Sequence, residues 1–143
     1  MNKSILNKSR QLSYLLRHNP ENLSMDKHGW VPIFQILSKL EINIDELDYI
    51  VETNNKKRFG YDTSKTKIRA HQGHSKSLNI DIKFEEVKFP KTYYHGTAKI
   101  NEASILSKGL IPQSRAYVHL SKDIETAEKV VFRYYISYRY FNV

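Results

Sequence analysis

Between Ser4 and Ala70 the chain lays down three helical patterns and then two short strand patterns, and that order limits the fold more than any other feature. From Ser4 to His18, the residues Ile5, Leu12, Leu15 and Leu16 recur near helical spacing and make one apolar stripe. Asn19-Pro20 ends this helix, because a proline ring pushes the residue before it out of the helical region. Asp26-Lys27-His28-Gly29 has the composition of a turn, and Trp30-Val31 resumes buried structure. Pro32 suits the first turn of a short helix reaching about Leu40. Asp45 is expected to cap a third helix, with Leu47, Ile50 and Val51 on its buried face. Strands are expected around Arg58–Asp62 and Lys67–Ala70, joined by the polar turn Thr63-Ser64-Lys65. Three helices and a hairpin point to an α+β chain that opens with a winged-helix-like lobe, a scaffold frequent on nucleic acid but not in itself a function.

Beyond the hairpin, Leu78–Phe84 alternates apolar and polar residues as a strand does. Glu85–Lys91, with Pro90, is the expected boundary, dividing the chain into lobes 1–88 and 89–143. The second lobe is expected to run through a strand at Thr92–His95 and a helix from Lys99 to Ser107 closed by Gly109. A strand at Tyr117–Leu120, a helix at Asp123–Val131 and an aromatic strand at Arg133–Phe141 complete it. No stretch approaches the roughly 18 apolar residues of a membrane helix. The start, Met1 to Lys8, has neither the apolar run nor the small-residue cleavage site of a signal peptide. There is no cysteine, which excludes disulfides and thiolate zinc sites and fits a reducing compartment, so a cytoplasmic location is expected.

The formal net charge is +8, and its distribution matters more than its size. Lys56, Lys57, Arg58, Lys65, Lys67, Arg69 and Lys76 stand against the single acid Asp62 between positions 56 and 76. Such a stretch favours a phosphate-bearing partner, because cations that neutralise phosphates release counterions. Arg17-His18 follows an apolar helix: an arginine fork can clamp phosphate, and a neighbouring histidine can donate a hydrogen bond or a proton. The same pair could simply complement the helix dipole. Arg69-Ala70-His71-Gln72-Gly73-His74-Ser75 gathers donors around a glycine just after a strand, the composition of an oxyanion-binding loop. His71 and His74 have no acidic or cysteine partner nearby, so no metal is expected. His95-Gly96-Thr97 and His119-Leu120-Ser121 close two strands, where such groups can hold a ribose or a pyrophosphate, or serve only the fold.

In sequence order, Leu15-Leu16-Arg17-His18-Asn19-Pro20, Asp26 with Gly29-Trp30-Val31, Ile68 to Ser75, Tyr94-His95-Gly96-Thr97, Gly109-Leu110 and Val118-His119-Leu120-Ser121 resemble the RNA 2′-phosphotransferase family. The likeness runs from about Ser9 to Val130. It implies a winged-helix lobe joined to an ADP-ribosyltransferase-like mixed α/β lobe, here incomplete at an altered C-terminus. It implies NAD as co-substrate, no metal, and an RNA with a 2′-phosphate, as in tRNA splicing, as partner; separately, a monomer is expected, although the sequence does not give the oligomeric state. By the resemblance, Arg17, His18, Arg69 and Arg133 are catalytic, and Gln72, His74 and Ser75 bind the substrate. His95, Gly96, Thr97, His119 and Ser121 would line the NAD site. The family's glycines and histidine around the last arginine are missing near Arg133. Two other readings stay open: a nucleic-acid-binding winged-helix protein without catalysis, and an ADP-ribosyltransferase acting on another acceptor.

Overall fold

A computed structural model describes residues 2–54, 56–83, 92–131 and 138–142, and the chain divides into two compact units. The first comprises Met1–Phe84 with Ser114–Ala116, and the second Glu85–Gln113 with Tyr117–Val143. The boundary expected near residue 88 lies outside the described residues.

The first unit begins with α1, Lys3–Arg17. Asn2 caps it by accepting from the Ser4 amide at 3.1 Å, which satisfies one of the unpaired first-turn donors. Its apolar stripe buries Leu12, Leu15 and Leu16. A two-residue strand β1, Val31–Pro32, runs directly into α2, Ile33–Leu40, with Pro32 as the helix cap. Helix α3 is Ile44–Thr53. Its cap is Asn43 and not the expected Asp45, which sits in the first turn. Glu46 decides this: it closes a reciprocal box in which Asn43 Oδ1 accepts from the Glu46 amide and Glu46 Oε2 from the Asn43 amide, both at 2.9 Å.

Strands β2, Phe59–Tyr61, and β3, Lys67–Ala70, form a hairpin, and β1 joins it to give an antiparallel sheet of order β1-β3-β2. The register pairs Val31 with Ile68 and Gly60 with Arg69. Asp62 holds the turn by accepting from the Thr66 and Lys67 amides at 2.8 and 2.9 Å. Asp48 of α3 fastens the hairpin, taking bonds from the Tyr61 hydroxyl and Lys65 Nζ, each at 2.7 Å. One core binds these elements, with Leu12, Leu16, Val31, Ile36, Leu47, Ile50 and Ile68 fully buried. Burial of each such side chain contributes about 1.5–3 kcal/mol, so the core fixes where the end of α1 and the end of β3 lie.

The strand expected at Leu78–Phe84 does not form among the described residues. Lys76–Leu78 is a short 3-10 helix, Asn79 turns through the left-handed region at φ 50°, and 79–83 runs on without a ladder. The alternation is real, since Ile82 is buried between exposed neighbours, but the segment packs as a strap tied by the Asp81 amide to Lys27 O at 2.8 Å.

In the second unit β4, Tyr94–Ala98, pairs antiparallel with β5, Tyr138–Asn142. Between them come a 3-10 turn at Lys99–Asn101, α4 at Glu102–Lys108 and α5 at Ile124–Val131. Gly109 caps α4 with φ 79°, as the sequence suggested. Tyr117–Leu120 is not a strand; one bridge links Tyr94 to Ser121, with reciprocal bonds of 2.8 and 2.7 Å. The chain is thus mixed α/β, with small antiparallel sheets.

Candidate anion-binding site

The buried leucines of α1 present its last turn rigidly, and that turn carries Arg17, with His18 as the C-cap. The Ser75 amide donates to Arg17 O at 2.8 Å, and His18 Nδ1 bonds Ser75 Oγ at 2.7 Å. The loop after β3 is therefore fastened to the end of α1. Arg69 lies on β3 opposite Gly60, and its guanidinium stands over the Trp30 ring, 4.4 Å from the centroid.

Two glycines make room for this packing. Gly73 has φ 86°, and a Cβ there would lie 2.8 Å from Arg115 Nη1 and 3.2 Å from Arg17 Cζ. Gly29 has φ 83°, and a Cβ there would lie 3.3 Å from His74 Nε2. Segment Ser114–Ala116 runs antiparallel to the loop, with Ser75 bridged to Arg115, the Lys76 amide on Ser114 O at 3.0 Å and the Ala116 amide on His74 O at 3.1 Å. Arg115 Nη1 donates to Gly73 O.

The result is a cluster of three arginines and two histidines. His74 is only 4% exposed. Arg17 Nε, Arg69 Nε and His74 Nε2 are buried without a hydrogen-bond partner among the described residues, and such groups cost about 1–3 kcal/mol each when unsatisfied. Burial and the neighbouring Arg58 and Arg115 bring the Arg17 pKa down to about 10. Burial first, then Arg17, Arg69, His18 and Arg115, lower that of His74 to about 4. His18 is shifted the same way, by burial, Arg115 and Arg17. The charges that lower the pKa values of these three groups, among the described residues, are all cationic side chains. Buried donors with no ion-pair partner among the described residues suit an anion with several acceptor oxygens.

Of the residues singled out in sequence, Arg17, His18, Arg69, His74 and Ser75 come together here. Gln72 is exposed, and no described contact ties it to the cluster. Arg133 lies outside the described residues. The NAD-site expectations fall in the second unit: His95 Nδ1 bonds His119 O at 3.0 Å, Thr97 Oγ1 accepts from Asn101 at 2.9 Å, and Gly96 lies between them on β4. The Tyr94–Ser121 bridge brings Ser121 beside that strand. Sequence reasoning missed Arg115 and the role of Trp30 under Arg69. Arg115 carried a usable signal, as the sole cation between Gly109 and Ser121.

The profile of the family described as RNA 2′-phosphotransferase, Tpt1 / KptA family, matches residues 3–137. A probable RNA 2′-phosphotransferase of Fusobacterium nucleatum is 46% identical, over 87% of this chain and 73% of its own length. Those of Flavobacterium johnsoniae and Herpetosiphon aurantiacus are each 43% identical, over 91% and 92% of this chain and 75% of their own lengths.

Proposed function

This chain belongs to the RNA 2′-phosphotransferase family and is an enzyme of that class, and from that premise we propose that it removes an RNA 2′-phosphate by NAD-dependent transfer to ADP-ribose. The observation that carries this reading is the cluster of buried, unpartnered donors at Arg17, Arg69 and His74, which suits a phosphate monoester. NAD is the co-substrate that supplies the ADP-ribosyl acceptor. A 2′-phosphate oxygen bonds to the ribose carbon C1″ as the C1″–nitrogen bond breaks and nicotinamide leaves. The 2″-oxygen then bonds to phosphorus as the bond to the RNA 2′-oxygen breaks, and the 2″-hydroxyl proton ends on that oxygen. The products are 2′-hydroxyl RNA and ADP-ribose 1″,2″-cyclic phosphate.

In this reading Arg17 and Arg69 hold the phosphoryl oxygens, where charge gathers in the second step. With the Ser75 hydroxyl donating to Nδ1, His18 presents an Nε2–H to the phosphate. His74 and Ser75 shape the loop, while Gln72 reaches the RNA from the exposed side. His95, Gly96, Thr97, His119 and Ser121 hold NAD, and Arg133 is the remaining catalytic cation. The first lobe, 1–88, acts as a winged-helix-like RNA lobe and the second, 89–143, as an ADP-ribosyltransferase-like NAD lobe. The three helices with a three-stranded antiparallel sheet support the first of these assignments.

The test mixes the purified chain with NAD and an oligonucleotide carrying one internal 2′-phosphate, followed by mass spectrometry. Phosphate loss with formation of the cyclic phosphate is expected. Arg17→Ala and Arg69→Ala should each slow it by about a hundredfold or more while the circular dichroism stays unchanged. No product from the folded wild-type chain, or near-wild-type rates in both variants, would overturn the reading.

A further inference from the structure

We propose that Arg115 is a further anion-contacting residue of this site, and that with Arg17 and Arg69 it selects a doubly charged phosphate monoester over the singly charged diesters of an RNA backbone. The inference rests on the reading of the cluster as a phosphate site. Arg115 arrives from a distant part of the sequence, yet the bridge to Ser75 and the bonds from Lys76 and Ala116 set its backbone firmly beside the loop. One of its five donors is used on Gly73 O. The absence of a side chain at residue 73 lets the Arg115 and Arg17 guanidiniums lie over the same stretch of backbone. A purely bracing role would need no second arginine there, and the like charge works against Arg17, His18 and His74. His74, nearly fully buried, leaves Nε2 without a hydrogen-bond partner among the described residues, an independent sign of unmet polar capacity beside the arginines. Three arginines, none of which forms a salt bridge among the described residues, suit a dianion, whose second charge a diester does not have.

The chain has one tryptophan, and it is Trp30, stacked under Arg69, so its emission gives a readout separate from turnover. Adenosine 2′-monophosphate serves as the monoester and a plain dinucleotide as the diester, titrated at a pH of about 8, where the monoester is a dianion. The wild-type chain should respond to the monoester at far lower concentration than to the dinucleotide. Arg115→Ala and Arg115→Gln should weaken monoester binding by about tenfold or more and leave dinucleotide binding nearly unchanged, while Arg115→Lys should keep most of the preference. Glutamine retains a donor for Gly73 O, so a merely structural role predicts that it rescues. Monoester binding by Arg115→Gln within about twofold of wild type would overturn the role of Arg115 while leaving the phosphate site standing. No monoester binding by the wild-type chain, by emission or by calorimetry, would overturn the site itself and this inference with it.

Discussion

At the scale of single residues, the cluster sets charge against burial. His74 is held neutral by its surroundings, with a pKa near 4 against about 6.5 for a free imidazole. Its folded value is depressed, so between those two pH values the unfolded chain binds a proton that the folded chain refuses. Stability is therefore unaffected above about 6.5 and falls as the pH drops towards 4, by about 3 kcal/mol in full. His18 acts in the same direction. Urea unfolding of the wild type and His74→Gln at about pH 7.5 and 4.5 checks this: the wild type should lose more stability than the variant. An unchanged difference between the two would show that His74 does not titrate in that window.

At the scale of elements, the site depends on two tight backbone positions as much as on its side chains. Gly29 stands in the turn before β1, at a positive φ and against His74 Nε2. Gly29→Ala should cost about 1–3 kcal/mol by backbone strain and displace His74, lowering the thermal midpoint and the rate together. A variant with wild-type midpoint and turnover would show that the turn relaxes freely. Elements with a strong local signal were legible in the sequence: the stripe of Leu12, Leu15 and Leu16 set α1, and Lys67–Ala70 alternates against a defined turn. Asn43 was missed as a cap because Asp45 offers the same chemistry two residues later, and only the Glu46 bond separates them. Leu78–Phe84 and Tyr117–Leu120 read as strands because alternating burial does not reveal whether a partner strand is present. Arg115 stood out as a lone cation, but its place beside Ser75 was not legible for a related reason: it is a pairing across some forty residues, which no local pattern encodes.

At the scale of the whole molecule, the first unit gathers a positive centre that no described salt bridge compensates, while several acids form their bonds elsewhere. Asp48 and Asp62 serve the hairpin, and Glu125 pairs with Lys129 within α5. Ligand binding and global stability are therefore linked. A phosphate monoester at a hundred times its dissociation constant should stabilise the folded state by about 2.7 kcal/mol, several degrees in the thermal midpoint. Calorimetric scans with adenosine 2′-monophosphate, against sodium chloride at equal ionic strength, check this; equal midpoints would show that only general screening is at work.

The same crowding of like charges bears on how this sequence can drift. Any exchange of Arg17 or Arg115 for an uncharged residue of similar size relieves repulsion in the empty protein, so tolerance to heat and capacity to act pull the chain in opposite directions. A library sorted for robustness in ligand-free buffer would enrich the very replacements that weaken phosphate binding or slow turnover. The same library sorted with a phosphate monoester present would retain the arginines.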